Sequence, residues 1–128
     1  MEEKKLQGKD RRQYIRLNYR RPFDYKVCRE DTVSSLLSGY ARNISQAGLL
    51  CNLDKEVPRD STLWLRLDLA TLHICQEIEK RSVILQNGVL GRVAWSKHQK
   101  DGSYEIGVRF LTKEEKGHQE IEKWIKKD

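Results

Sequence analysis

Five arginines between residues 11 and 21, and a short polar stretch at residues 43 to 48, are the parts of this chain best equipped for chemistry. Arg11, Arg12, Arg16, Arg20 and Arg21 carry fixed positive charge on planar forks, which bond anions and flat rings through several N–H groups at once. Asn43-Ile44-Ser45-Gln46-Ala47-Gly48 sets an amide, a hydroxyl and a bare backbone on one turn between two apolar runs. Asn, Ser and Gly form turns by different means: side-chain to backbone hydrogen bonding, a small hydroxyl, and tolerance of positive φ. Such a loop suits an anion or a polar ring, and the upstream arginines could close over the same ligand.

The charge map singles out the same arm. Of a net charge of +6 over 128 residues, residues 1 to 30 hold ten Lys or Arg against five Asp or Glu, which leaves the rest of the chain nearly neutral. A basic footprint confined to one end points to one anionic partner at one place. A solvated tail accounts for Glu2 to Lys9, but an idle tail has no reason to interleave Tyr14, Ile15, Leu17 and Tyr19 with its arginines.

With 38% hydrophobic and 34% charged residues, the chain reads as one soluble globular domain with a modest core. No apolar run approaches the roughly 20 residues of a membrane span, and the start lacks the apolar stretch of a secretory signal, so a cytoplasmic protein is expected. Cys28, Cys51 and Cys75 are odd in number and form no CxxC. They are expected to be small hydrophobes in strands, with no metal site, since His73 beside Cys75 is a lone pair of ligand types. No GxSxG, HExxH or phosphate-binding glycine loop occurs, and His73, His98 and His118 sit in unrelated contexts, so neither an enzyme nor a catalytic residue is expected.

The elements that must hold the arginines and the turn are mostly strands. Residues 1–10 read as a flexible lead and 11–21 as an arginine-rich arm running to Pro22. Phe23, Tyr25 and Val27 then alternate with polar neighbours, the mark of a half-buried strand. Further strands are expected over Val33 to Arg42, with Gly39 a possible bulge, over Leu49 to Leu53, and over Leu63 to Leu69. Residues 70–81 fit both periods: Leu72, Ile74 and Ile78 suit a strand, Leu69, Leu72, Cys75 and Ile78 a helical face, and the strand is preferred. Asn87-Gly88 marks a turn or a bulge, followed by a hairpin of Val89 to Trp95 and Tyr104 to Phe110. Thr112 and Glu115 have capping-box spacing, and Ile121, Trp124 and Ile125 form an apolar stripe, which together predict a helix over 112–127. The expected architecture is mainly β: a closed antiparallel barrel of six or seven strands over residues 22–111, with the C-terminal helix covering one opening.

At this point the sequence resembles the PilZ domain, whose members bind cyclic di-GMP through an RxxxR motif and a downstream (D/N)xSxxG motif. Arg12-Gln13-Tyr14-Ile15-Arg16 matches the first and Asn43 to Gly48 the second, each complete. The strand Ile106-Gly107-Val108-Arg109-Phe110, followed by a helix start, looks like the usual end of the family, so the resemblance spans about residues 11 to 125. It implies a stand-alone, single-domain cyclic di-GMP receptor of bacterial motility or biofilm control, with a split barrel and no other cofactor. On the family pattern, Arg12 and Arg16 take guanine and phosphate groups. Arg11 is associated there with an intercalated pair of ligand molecules, and Trp95 resembles an aromatic often found beside the ligand, although its alternation with Val93 suits core packing equally well.

The residue chemistry agrees with that assignment. Arginine forks fit phosphate oxygens and guanine O6 and N7 alike. Asn43 can offer its carbonyl to guanine N–H groups, Ser45 can bond a phosphate or a base nitrogen, and Gly48 permits a turn that a Cβ would obstruct. Gly107, facing opposite to Ile106 and Val108, leaves room for a base against the barrel. Ligand is expected to order the arm against the barrel and change the surface shown to a protein partner. Two other readings remain: a small basic barrel for nucleic acid, which the near-neutral strands disfavour, and a PilZ-like adaptor that binds no nucleotide, which the intact motifs disfavour.

Overall fold

The computed structural model describes residues 15–29, 32–70 and 72–127. The expected lead at 1–10, together with Arg11 and Arg12, lies outside the described residues. Eight strands and two helices occur among those described: β1 (Leu17–Arg29), β2 (Thr32–Val33), β3 (Leu37–Ile44), β4 (Gly48–Leu53), β5 (Thr62–Arg66), α1 (Cys75–Arg81), β6 (Ile84–Leu85), β7 (Gly88–His98), β8 (Tyr104–Phe110) and α2 (His118–Lys127). Six of them close an antiparallel barrel in the order β1-β3-β4-β8-β7-β5, with β5 returning to β1, while β2 and β6 are short additions on β1 and β7.

Period-two alternation builds the interior. Phe23 and Tyr25 of β1, Leu63 and Leu65 of β5, Val89 and Val93 of β7, and Ile106, Val108 and Phe110 of β8 all point into one buried cluster. The alternate residues Cys28, Trp64 and Leu90 point outward into a second cluster with Leu111, Ile121 and Ile125. The outer wall of β1, β5 and β7 is therefore covered by α2, which corrects the expectation that the C-terminal helix caps an opening. Burying Ile121 and Ile125 contributes roughly 1.5–3 kcal/mol each. The segment that reaches the barrel interior is instead the chain around α1, where Ile78 is fully buried in the first cluster with Leu69, Leu72 and Ile74 packed on it.

Several boundaries differ from expectation, each for a local reason. Strand β1 begins at Leu17, inside the expected arm, because its first residues pair with the end of β3 through Leu17↔Ile44 and Asn18↔Asn43. The strand expected over 63–69 stops at Arg66: the Tyr19 hydroxyl accepts from the Asp68 amide at 2.6 Å and donates to the Asp68 carbonyl at 2.9 Å, so a side chain replaces a strand partner there. Residues 75–81 form a helix, not the preferred strand, and Cys75 starts that helix, whereas Cys28 and Cys51 are buried in strands as expected. The strand expected over 33–42 runs from Leu37 to Ile44, and its irregularity falls between Ala41 and Asn43, with Gly39 in regular register opposite Phe23 and Leu53. The C-terminal helix starts at His118, six residues late. Gly117 sits at φ +94, which ends the preceding turn, so Thr112 and Glu115 close a turn of their own.

Candidate ligand-binding cleft

The turn between β3 and β4 is built from the inside out. Ile44 is fully buried and fixes the end of β3. Beyond it the Ser45 amide donates to the Gly48 carbonyl at 2.9 Å, and the Ser45 Oγ accepts from the Ala47 amide at 3.1 Å. The Ala47 carbonyl in turn accepts from the Phe110 amide at 2.8 Å, which pins the turn to β8. A Cβ on Gly48 would lie 2.2 Å from the Val108 carbonyl oxygen, so the glycine is what lets β4 start this close to β8. With its oxygen accepting within the turn, the Ser45 hydroxyl keeps its proton to donate outward.

Two extra residues re-aim side chains on the strands around this region, the first away from the turn and the second toward it. A bulge at Arg42, between the pairs Ala41↔Cys51 and Asn43↔Leu50, sends the Arg42 guanidinium to Glu105 at 2.9 Å. A bulge at Ala94 separates Val93↔Val108 from Trp95↔Gly107 and switches β7 from one face to the other. Strict alternation would have carried Trp95 inward after Val93. The extra residue turns it out, where it is 44% exposed and lies over Gly107, whose added Cβ would meet the indole Nε1 at 2.3 Å. The room expected above Gly107 for a base is thus filled by the indole.

A cleft of about 250 Å³ on the outer wall joins these parts. Arg16, Ser45, Gly48, Trp95 and Gly107 line it, and Asn43 reaches it indirectly, its Oδ1 accepting from Arg16 Nη1 at 2.9 Å. Residues from both motifs, 27 positions apart, are in direct contact. Arg21 points elsewhere, pairing with Asp68 at 2.8 Å and lying 4.9 Å from the centre of the Tyr19 ring.

Arg109 also lines the cleft and was missed from the sequence. Its signal was parity alone, since it shares an outward face with Gly107 two residues before it on β8. No Asp or Glu lines the cleft among the described residues, so its polar character is cationic and neutral.

Glu115 stands just behind Arg109, bonded to its Nη1 at 2.9 Å. That hydrogen bond, more than any other cause, holds the Glu115 carboxyl down at about 2, with help from the Thr112 amide and against some burial. A carboxyl depressed in the folded state adds stability above its ordinary value of 4.5, and the gain is lost as pH falls toward 2. Arg109 is 48% exposed, so solvent screens the pair and the loss is expected to be only about 1 kcal/mol. Urea midpoints between pH 5 and pH 2 should therefore fall less steeply for Glu115→Gln than for the parent, and parallel curves would refute the assignment.

The described residues thus form a small closed barrel with an arginine-lined cleft on its wall and a helix packed against the outside. The chain belongs to the PilZ domain family, whose model matches residues 10–127. Among solved structures it is similar to the PilZ domain of YcgR from Escherichia coli with c-di-GMP (TM-score 0.46, 13% identity, 80% of this chain and 79% of that one). It is also similar to the Bacillus subtilis inhibitor of motility MotI/DgrA (TM-score 0.53, 13% identity, 92% and 51%). The MrkH–c-di-GMP complex of K. pneumonia is a third (TM-score 0.51, 12% identity, 92% and 49%). The last two show a shared fold, and this chain spans about half of their length. No curated protein matched the sequence. Among the described residues, no helix is long and apolar enough to cross a membrane.

Proposed function

We propose that this chain is a cyclic di-GMP receptor, not an enzyme, and that it works in the cytoplasm by changing the conformation of its N-terminal arm for a protein partner. The observation that carries this reading is the contact of Arg16 with Asn43 at the edge of a cleft lined by Ser45, Gly48 and Trp95. Each motif alone is a modest signal, but both meeting at one acid-free cleft in a PilZ barrel gives a doubly anionic purine ligand what it needs. Arg16, joined by Arg12 from the same motif, supplies forks for phosphate and guanine. Ser45 donates to a phosphate or base, Asn43 offers its carbonyl to a guanine edge, and the exposed Trp95 ring gives a base a surface to stack on. Arg11 adds a cation for a second, intercalated ligand molecule. In the free chain Arg16 donates one N–H to Asn43, and both groups keep further donors and acceptors for a ligand, whose binding would shift the arm toward the barrel.

Titration calorimetry with cyclic di-GMP, GTP and a short RNA tests the proposal. Micromolar or tighter binding of cyclic di-GMP, with little heat from the other two, is the expected result. Binding of RNA alone would move the chain to the nucleic-acid class, and binding of none would leave an adaptor that works through protein contacts.

A further inference from the structure

Arg109 has two commitments. It lines the cleft from β8, and its Nη1 donates to Glu115 Oε2 at 2.9 Å. The same carboxylate oxygen accepts from the Thr112 amide at 2.7 Å and from the Thr112 hydroxyl at 3.2 Å, so Arg109 is tied to the turn that precedes α2. Directly across the ladder stands Arg92, in register with Arg109. The Arg92 Nε is buried and makes no hydrogen bond among the described residues. Like charges placed opposite each other on one sheet face repel, and the Glu115 carboxylate is bonded to Arg109 of the two. A guanidinium has five N–H donors, and the bond to Glu115 uses one, so Arg109 retains donors for a second acceptor.

We infer that Arg109 is a ligand-binding residue outside the two family motifs, held by Glu115 in the free chain and shared with a phosphate of the cyclic dinucleotide in the bound one. Glu115 is then an internal competitor, an anion that occupies one of the cations the ligand needs. The inference rests on the cyclic di-GMP reading, and it predicts effects of opposite sign from two partners in one ion pair. Arg109→Gln loses a charge-assisted contact and is expected to bind cyclic di-GMP about 10-fold or more weakly. Glu115→Gln keeps an acceptor for Thr112 but removes the competing charge, and is expected to bind about 3-fold more tightly. A purely structural ion pair would weaken binding from either side, or from neither.

The experiment is calorimetry of the full chain, parent and variants, with thermal unfolding run alongside. Arg109→Lys stands in should Arg109→Gln fail to fold, and is expected to bind more weakly than the parent because a point charge replaces the fork. Weakening at Arg109 together with tightening at Glu115 supports the inference. If the parent binds and the folded Arg109 variant binds equally well, or Glu115→Gln binds no more tightly, the inference is overturned while the receptor reading stands. A parent that binds no cyclic di-GMP removes the receptor reading and this inference with it.

Discussion

Gly48→Ala is expected to destabilise the fold by roughly 2–4 kcal/mol and to abolish ligand binding with it. The added methyl would sit 2.2 Å from the Val108 carbonyl oxygen, a backbone atom in the middle of β8 that cannot swing aside as a long side chain would. Relief requires β4 to move away from β8. That motion strains the pairs Gly48↔Arg109 and Leu49↔Val108 and the bond from the Phe110 amide to the Ala47 carbonyl. All of these lie over the barrel core, where Leu49, Val108 and Phe110 are almost wholly buried. A urea unfolding curve is the check, and a midpoint equal to the parent's would mean that the turn has slack which the geometry denies it. The family-motif glycine is thus needed for a strand contact whether or not a ligand ever touches it.

Arg16→Ala is expected to show the reverse pattern. Its side chain is exposed and its bond to Asn43 lies at the surface, so stability should change by less than about 0.5 kcal/mol. Cyclic di-GMP affinity, in contrast, should fall about 30- to 100-fold, which corresponds to about 2–3 kcal/mol for a lost charge-assisted contact. Calorimetry of the folded variant reads this directly. Affinity equal to the parent's would place the ligand somewhere other than the cleft between β1 and the 43–48 turn.

Where alternation of side chains ran unbroken, the strands were legible: Phe23 and Tyr25, Leu63 and Leu65, and Ile106, Val108 and Phe110 lie inside as their spacing requires. Legibility failed where a three-dimensional contact overrode the local period. Nothing near Asp68 announces that the Tyr19 hydroxyl, 49 residues away, will bind both its amide and its carbonyl and end β5 early. Residues 70–81 carried both periods, and burial of Ile78 within the barrel decided for the helix. Thr112 and Glu115 did find each other at capping distance, but Gly117 closed that turn before a helix could follow.

The site divided in the same way. Arg16, Asn43, Ser45 and Gly48 stood out because unusual residue types were bunched in a turn or a basic arm. Trp95 was ambiguous because an unpaired Ala94 is invisible in a string of letters, yet it alone decides which face the indole takes. Arg109 was one more arginine in a chain rich in them. Its relevance comes from sitting two positions after Gly107 on a strand whose neighbours, β4 and β7, bring the rest of the cleft to it.

Coverage of the outer wall by α2 has a consequence for how this chain survives in a crowded cell. Strand β5 has apolar side chains on both faces, Leu63 and Leu65 inside and Trp64 under the helix, so Thr62 to Leu67 is a short, β-prone segment whose one charge is Arg66. Segments of that kind seed intermolecular cross-β stacking when exposed. Helix α2 shields the outward face of that segment, so a variant in which the helix is loosened is expected to aggregate more readily than the parent.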